Sequence, residues 1–235
     1  MKLIIQKPTG AKLVLASTQV VPVDPQFGSV SLLLHGDGTN GSTTIVDSSP
    51  LPKTVTAVGN AKISTAQSKF GGASIAFDGN GDYLTIPDEP AWDLPGNFTI
   101  EFWIKAIAVG FSAILSTRNA GTTTNPVIYL TDTGVVGWYY NSAFRISGTT
   151  NLVGGEFYHV AVCRSAGQTR LFVNGTQEGG TYSESSLYMA DGIWIGSLPA
   201  ASQHLNGYID DLRITKGIAR YTADFTPPTE PFPDV

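Results

Sequence analysis

The sequence predicts an all-β protein, a two-sheet antiparallel jelly-roll sandwich preceded by a short N-terminal arm. First, 235 residues fit one all-β domain of ordinary size. Second, charged residues make up only 14% of the chain, while 19 serines, 25 threonines and 26 glycines favour strands and turns over helices. Third, about a dozen short segments alternate apolar and polar residues between turn signals, which is the pattern of half-buried strands.

The clearest strand is predicted over residues 98–105. The even-numbered residues from Phe98 to Ile104 are apolar and share one face, so we expect that face in the core. Asn174-Gly175 supplies the positive φ of a tight hairpin. The other predicted strands span 31–35, 74–77, 83–86, 113–116, 127–131, 135–140, 144–147, 157–163, 169–173, 193–196 and 207–214.

The two ends of the chain differ from the middle in amino-acid composition and pattern. Residues 1–27 are predicted to form the arm, residues 28–226 the sandwich domain and residues 227–235 an extended, proline-rich tail. The arm holds two short apolar pieces on either side of Pro8, and a lone hairpin of that size is marginal in water. We therefore expect the arm to dock on a neighbouring chain, as an added or exchanged strand.

Charge and hydropathy exclude two classes of partner. The net charge is −5, with no basic run, so nucleic acid is not expected as a ligand. No segment approaches the roughly 18 consecutive apolar residues of a membrane span, and Gln6, Lys7 and Pro8 interrupt the apolar centre that a signal peptide needs. The single cysteine, Cys163, excludes an intrachain disulfide and is expected to be a small buried residue.

One loop has the residue types that calcium prefers. From Asp78 to Asp82, carboxylate and amide side chains alternate with glycines. Tyr83 stands where an EF-hand loop needs glycine, which excludes an EF-hand. Two interpretations remain open: a calcium site that uses Asp78 and Asp82, or a hairpin turn in which Gly and Asn adopt left-handed conformations.

The densest aromatic run is a candidate carbohydrate-binding site. Exposed rings stack on sugar faces, and nearby amides orient the hydroxyl groups. A strand that carries Trp138, Tyr139 and Tyr140, followed by Asn141, must place aromatic rings on both faces of its sheet. The alternative is that these rings fill the sandwich core. Three more rings could join such a surface: Tyr129, Tyr188 and Trp194.

Several stretches, in chain order, resemble the concanavalin A-like, laminin G-like jelly-roll family. Residues 70–79, then 82–84 and 98–104, look like its central signature, and 157–162 with 170–175 look like its long hairpin, with Phe157 where the family usually has Trp. Its opening and closing strands resemble 32–38 with 46–49 and 207–214, so the resemblance covers about residues 31–215.

The resemblance implies a recognition module, although a few relatives are glycosidases, and fold alone does not fix activity. Glycosidase chemistry needs two carboxyl groups about 5–9.5 Å apart, which the retaining enzymes of this fold supply as alternating acids on one strand. No glutamate here has an acidic neighbour two positions away. The histidines His35, His159 and His204 form no helical or metal-binding pattern. We therefore expect a protein that is not an enzyme.

The resemblance also implies a second metal site. If the opening and closing strands are neighbours, as in the family, Asp37 lies beside Asp210 or Asp211. Residues 210 and 211 face opposite ways on a strand, so only one of these two carboxylates can point at a shared calcium ion.

A narrower resemblance concerns residues 209–233 (IDDLRITKGIARYTADFTPPTEPFP), which are similar to the ending of laminin G-like proteins encoded by tailed phages. It implies a non-enzymatic virion protein on the phage particle surface: a head decoration, head fibre or tail fibre that adheres to surfaces or host glycans. Other virion proteins would be partners through the arm, and copies of the chain could form a homo-oligomer. The alternative is a free-standing lectin, and a glycosidase is least favoured.

Overall fold

Alternation of apolar and polar side chains folds this chain into two antiparallel sheets. The computed structural model describes residues 22–118, 124–199 and 202–235. Two single turns of 3₁₀ helix, Phe27–Ser29 and Pro90–Trp92, accompany the strands. The strands are β1 Val30–Leu34, β2 Thr56–Val58, β3 Lys62–Ser64, β4 Ser74–Asp78, β5 Tyr83–Ile86, β6 Phe98–Ala106, β7 Ser112–Ser116, β8 Val127–Leu130, β9 Val136–Tyr140, β10 Ala143–Ser147, β11 Tyr158–Ser165, β12 Gln168–Val173, β13 Thr176–Ser183, β14 Ile193–Ile195 and β15 Asn206–Lys216.

The strands form an eight-stranded and a seven-stranded sheet. The first has the order β13-β12-β11-β6-β15-β4-β3, with β1 also paired to β15, and the second has the order β10-β9-β8-β7-β14-β5-β2. β15 pairs with β4 over its first residues and with β1 after a bulge between Asp210 and Arg213. This arrangement confirms the predicted all-β, two-sheet antiparallel jelly-roll sandwich.

The core lies between the sheets and contains the predicted face of β6. Phe98, Ile100, Phe102 and Ile104 are fully buried there. All twelve predicted strands are present, with ends within about two residues. The pattern missed β2, β3 and β13. β2 and β3 have three residues each and, unlike the equally short but wholly apolar β14, contain polar residues, and β13 (TQEGGTYS) has Tyr182 as its one large apolar side chain.

The outer face of the eight-stranded sheet is also buried over much of its area, and a network of charges lies on it. Arg213 donates to Glu101 Oε1 from Nε at 3.0 Å and from Nη2 at 2.8 Å. Asp24 accepts from Arg213 at 3.1 Å and from Arg220 at 2.6 Å, and the Tyr221 hydroxyl donates to Glu101 Oε2 at 2.9 Å. We call this set the Arg213 network.

Electrostatics in the Arg213 network favour the ionised form of Glu101. Its side chain is fully buried, and burial alone would raise the pKa of the carboxyl. His159, whose Nε2 lies 3.4 Å from Oε2, and Arg213 outweigh burial and lower the pKa from 4.5 to about 2.

The C-terminal segment closes over this charged face. Phe232 is 3% exposed and packs on Val30 and Leu33, while its backbone N–H donates to Asp211 Oδ2 at 2.7 Å. Residues 227–235, predicted as an extended tail, contain no helix or strand. The Asp24 N–H donates to the Val235 carbonyl at 2.9 Å, so residues 24 and 235 meet on this face.

Most of the predicted arm, residues 1–21, lies outside the described residues. Within the described part of the chain, the structure has no helix that is long and apolar enough to cross a membrane.

Replacement of Glu101 by Gln should destabilise the protein by about 3–5 kcal/mol at pH 7, because it removes one of the two carboxylates that neutralise the buried Arg213 and leaves Asp24 as the other. The folded pKa lies below the unfolded one, so the stability from this ionisation is present above about pH 4.5 and lost as the pH falls toward 2. Urea unfolding at pH 7 and pH 3 should show a smaller mutational loss at the lower pH. The exposed Glu156→Gln is the matched control, and equal stability of the two variants would contradict this account.

Replacement of Phe232 by Ala should lower the free energy of unfolding by about 3–5 kcal/mol, since it opens a cavity against Val30 and Leu33. Thermal and urea unfolding measure the loss. Phe144→Ala, at a ring that is 37% exposed, should cost under about 1 kcal/mol. A Phe232 variant as stable as the Phe144 variant would show that the tail does not hold the sandwich together.

Candidate functional site

Aromatic side chains lie on the outer face of the seven-stranded sheet. Residues directly opposite each other in paired strands share a face. The register places Trp194 beside Ser116, Ser116 beside Val127, Val127 beside Tyr139 and Tyr139 beside Phe144. These five residues therefore form one row across the sheet, with rings at both ends of it.

One end of the row is an aromatic patch formed by Phe111, Tyr129, Tyr139 and Phe144. The ring of Tyr139 lies 5.1 Å from Phe144 and 5.5 Å from Tyr129, and Phe111 lies 4.7 Å from Tyr129, measured between centroids. Gly137 makes this packing possible, because a Cβ there would lie 2.5 Å from the Phe144 ring. Phe111 and Phe144 are 39% and 37% exposed, Tyr139 is half-buried and Tyr129 is buried, so three of the four rings of the patch are partly exposed to solvent.

The other end of the row is a stacked pair. Tyr83 and Trp194 have centroids 5.1 Å apart and an interplanar angle of 28°, and His204 lies 6.5 Å beyond Tyr83. All three rings are half-buried. The pair offers a second flat apolar surface on the same face of the sheet.

Polar groups border the patch. The Arg118 guanidinium lies 4.9 Å from the Tyr139 ring centroid, within cation–π range, and its Nε donates to the Asn125 carbonyl at 2.8 Å. Burial raises the pKa of the Tyr129 hydroxyl, and the charge of Arg118 offsets part of that rise, so Tyr129 stays neutral at physiological pH. Half-exposed rings beside fixed polar groups are suited to bind a ligand that has apolar faces and polar edges.

The structure divides the predicted carbohydrate-binding run between two environments. Trp138 and Tyr140 are 1% and 8% exposed and lie in the core between the sheets. The prediction that they bind a sugar is therefore wrong, since neither ring face reaches solvent. Tyr139 lies on the outer face, and Asn141 is exposed in the β9–β10 turn at φ 47°.

The three further rings that the sequence offered for this surface also divide between the core and the outer face. Tyr188 is buried in the core, whereas Trp194 and Tyr129 lie on the outer face. Sequence reasoning missed Phe111, Phe144 and Tyr83. Tyr83 and Phe144 lie in predicted strands, but only the register between strands shows that they share a face with Trp194 and Tyr139. Phe111 precedes β7 and lies outside every predicted strand, so only the folded structure places it against Tyr129.

Asp78 and Asp82 hold their own loop together. Asp82 accepts the N–H of Asn60 at 2.5 Å and that of Asp78 at 2.8 Å. Asp78 accepts the N–H of Asn80 at 2.8 Å and the Asn60 side-chain amide at 3.0 Å. Gly79 and Gly81 have φ of 85° and 79°, as a turn of this kind requires. The geometry favours the turn over a calcium site, because each carboxylate oxygen already accepts a hydrogen bond.

Asp37, Asp210 and Asp211 lie where β1 meets the bulge of β15. Asp211, at φ 49°, accepts from His35 Nδ1 at 2.6 Å, and Asp37 is in the exposed loop after β1. Asp210 Oδ2 accepts two backbone N–H groups, from Lys69 at 2.6 Å and from the following residue at 3.1 Å. Burial, with the charges of Asp211 and Asp37, raises the pKa of Asp210 to about 7.

Within the described ranges, no group of three or more His, Cys, Asp or Glu side chains is arranged to hold a metal ion. The structure brings Asp37, Asp210 and Asp211 into one neighbourhood and leaves Asp78 and Asp82 in a separate loop. Calcium binding at either place stays a prediction, and neither geometry adds support to it.

Comparison with known proteins identifies the family of the chain. The family model described as the concanavalin A-like lectin/glucanases superfamily matches residues 78–219, more than half of the sequence. No curated protein matches the sequence.

Solved structures with the same fold share little sequence with this chain. The binding domain of Paraclostridial Mosquitocidal Protein 1 superposes with a TM-score of 0.64 at 14% identity, over 81% of this chain and 49% of that one. Domain 4 of AbnA, a GH43 extracellular arabinanase from Geobacillus stearothermophilus solved with arabinotriose, gives 0.58 at 16% identity, over 81% and 94%. A structure of botulinum neurotoxin type C gives 0.61 at 15% identity, over 82% and 49%.

This chain spans about half the length of the mosquitocidal and botulinum structures and nearly all of the arabinanase domain. The jelly-roll topology and the match over residues 78–219 agree with each other. The chain belongs to the concanavalin A-like lectin/glucanase superfamily.

Proposed function

We propose that this chain is a non-enzymatic glycan-binding module, whose ligand stacks on the aromatic patch and on the Tyr83–Trp194 pair. The observation that carries the proposal is the concentration of partly exposed rings on one outer sheet face, where a folded domain would otherwise present polar side chains. Rings with apolar faces and hydrogen-bonding edges match the alternating C–H faces and hydroxyl edges of sugars.

Comparisons add support of a general kind. The arabinanase domain was solved in complex with arabinotriose, and the botulinum neurotoxin type C structure is described by its interaction with two ganglioside molecules. These ligands belong to those proteins. For the present chain they serve as the first compounds to test.

The arrangement of carboxylates gives no support to hydrolysis. Glu101 is buried in the Arg213 network, and Glu178 accepts the N–H groups of Thr149 and Thr150 at 2.7 and 3.1 Å. Hydrolysis of a glycosidic bond needs two carboxyl groups that flank it across a cleft. Both of these glutamates instead serve the fold.

We place this module on a phage particle, as a head decoration, head fibre or tail fibre, on the strength of the resemblance of residues 209–233. In that setting the arm binds other virion proteins, and the assembly can contain several copies of the chain. One feature of the fold suits this role: Asp24, in the last part of the predicted arm, lies over the eight-stranded sheet, while the aromatic patch lies on the outer face of the other sheet. An arm docked on the particle would leave the patch directed away from it.

Tyr139→Ala and Trp194→Ala should each weaken glycan binding roughly tenfold while leaving the melting temperature nearly unchanged, because each removes a stacking surface outside the core. A glycan array that includes arabinose oligomers and ganglioside oligosaccharides, followed by calorimetric titration of the strongest hit, measures the effect. Reading the array with calcium and again with EDTA tests the calcium prediction.

Leu51→Ala, at an exposed apolar side chain away from the patch, is the control and should bind like the unaltered protein. Trp138→Ala should unfold the domain, since this ring is buried in the core. Absence of any array signal, or equal affinity of the Tyr139 and Trp194 variants and the control, would refute the proposed function.

Deletion of residues 1–21 should leave a folded domain that no longer joins particles. The deletion spares Asp24 and the Arg213 network, so we expect an unchanged urea midpoint. Incorporation is measured by quantifying the chain in purified particles after expression in infected cells. Full incorporation of the shortened chain would exclude the docking role of the arm.

A further inference from the structure

A groove of about 530 Å³ lies on the outer face of the eight-stranded sheet, at its β3 edge. This volume is within the about 300–1,000 Å³ of small-molecule sites. Ile63, Ile75 and Ile209 point into the core, so the residues that alternate with them on β3, β4 and β15 point outward. No residue of the C-terminal segment lines the groove, which is therefore a part of this face that the chain leaves uncovered.

The strand register explains why a groove forms there. Lys62 pairs with Ala76, and Ala76 pairs with Tyr208, so that the three side chains form a row across β3, β4 and β15. The methyl group of Ala76 is far shorter than its two neighbours. A notch therefore opens over Ala76, between the Lys62 ammonium arm on one side and the Tyr208 ring on the other.

Hydrogen-bond donors and hydrogen-bond acceptors both surround the notch. Asn60, Ser64, Asp78 and Asn206 line it together with the apolar Ile107. Hydrogen bonds from Asn60 and from the Asn80 N–H, with the charge of Lys62, lower the pKa of Asp78, so this carboxylate is ionised at neutral pH.

Three charged side chains line the groove: the Lys62 ammonium and the carboxylates of Asp78 and Asp82. Asp82 is buried and each of its oxygens accepts a backbone hydrogen bond, so the charges exposed in the groove are those of Lys62 and Asp78, which offset each other. Among the described residues, the Lys62 ammonium forms no salt bridge and the Tyr208 hydroxyl forms no hydrogen bond. A ligand with several hydroxyl groups can donate to Asp78, accept from Lys62 and the amides, and lay a C–H face against Tyr208.

We infer that this groove is a second binding site, for a neutral saccharide, on the face opposite the aromatic patch. The inference goes beyond the proposed function, because two sites on opposite faces let one domain hold two glycan chains. Avidity for a surface that carries many glycans would then exceed the affinity of either site.

The test is a titration of ¹⁵N-labelled protein with lactose, arabinotriose and cellotriose, followed by amide chemical shifts. We expect at least one of these sugars to shift the amides of Lys62, Ala76 and Tyr208. Ala76→Gln fills the notch without touching the core. It should weaken the sugar affinity measured from those shifts at least tenfold. Ala66→Gln, at an exposed alanine that does not line the groove, is the matched control and should leave them unchanged.

Further variants separate this site from the aromatic patch. Tyr139→Ala should leave the groove shifts intact, whereas Tyr208→Ala should abolish them and serves as the second variant if Ala76→Gln fails to fold. Absence of shifts at the groove with all three sugars would overturn the inference. So would groove shifts that persist in both groove variants, or shifts confined to the Tyr139 and Trp194 amides, a result that would support the proposed function alone.

Discussion

Arg213 holds both ends of the described chain against the eight-stranded sheet. Its guanidinium bridges Glu101 on β6 and Asp24, and the ring of Phe232 lies 3.8 Å from its central carbon. Buried charges of this kind are tolerable only when every partner is present, since removal of one partner typically costs about 3–5 kcal/mol. Residue 24 and the segment from Tyr221 to Phe232 must therefore cover the sheet.

The two chain segments that lie on the eight-stranded sheet determine which parts of its outer face are accessible to solvent. Over β6, β11 and β12 the outer face is closed by Tyr221 and Phe225, which pack on Ala161, Cys163 and Phe172. Burial raises the pKa of the Cys163 thiol to about 12, so this cysteine is inert. The β3 edge of the same sheet and the outer face of the seven-stranded sheet stay accessible. Both proposed ligand sites lie on these remaining areas.

The bulge in β15 connects the sheet to the loops around it. At Asp211 the backbone takes φ 49°, and on either side of this point β15 changes its neighbour from β4 to β1. The adjacent carboxylates, on opposite sides of β15 in an unbroken strand, here satisfy separate groups: Asp210 binds the loop before β4, and Asp211 binds His35 and Phe232. Sequence alternation anticipated the divergence of the two carboxylates but not the bulge.

The sequence by itself determined the fold class, the positions of twelve of the described strands and the inward face of β6, because period-two alternation is a local property that needs no partner strand. It also located the aromatic run, but left open whether Trp138 and Tyr140 or Tyr139 faced solvent. Only the tertiary structure decided that, since the inner face of β9 is defined by the sheet that packs on it. The register likewise decided that Phe144 and Tyr83 join the exposed rings, and that a short alanine stands between Lys62 and Tyr208. Phe111 joins them from the loop before β7. Pairing between strands distant in sequence depends on how whole sheets pack, and no local pattern encodes it.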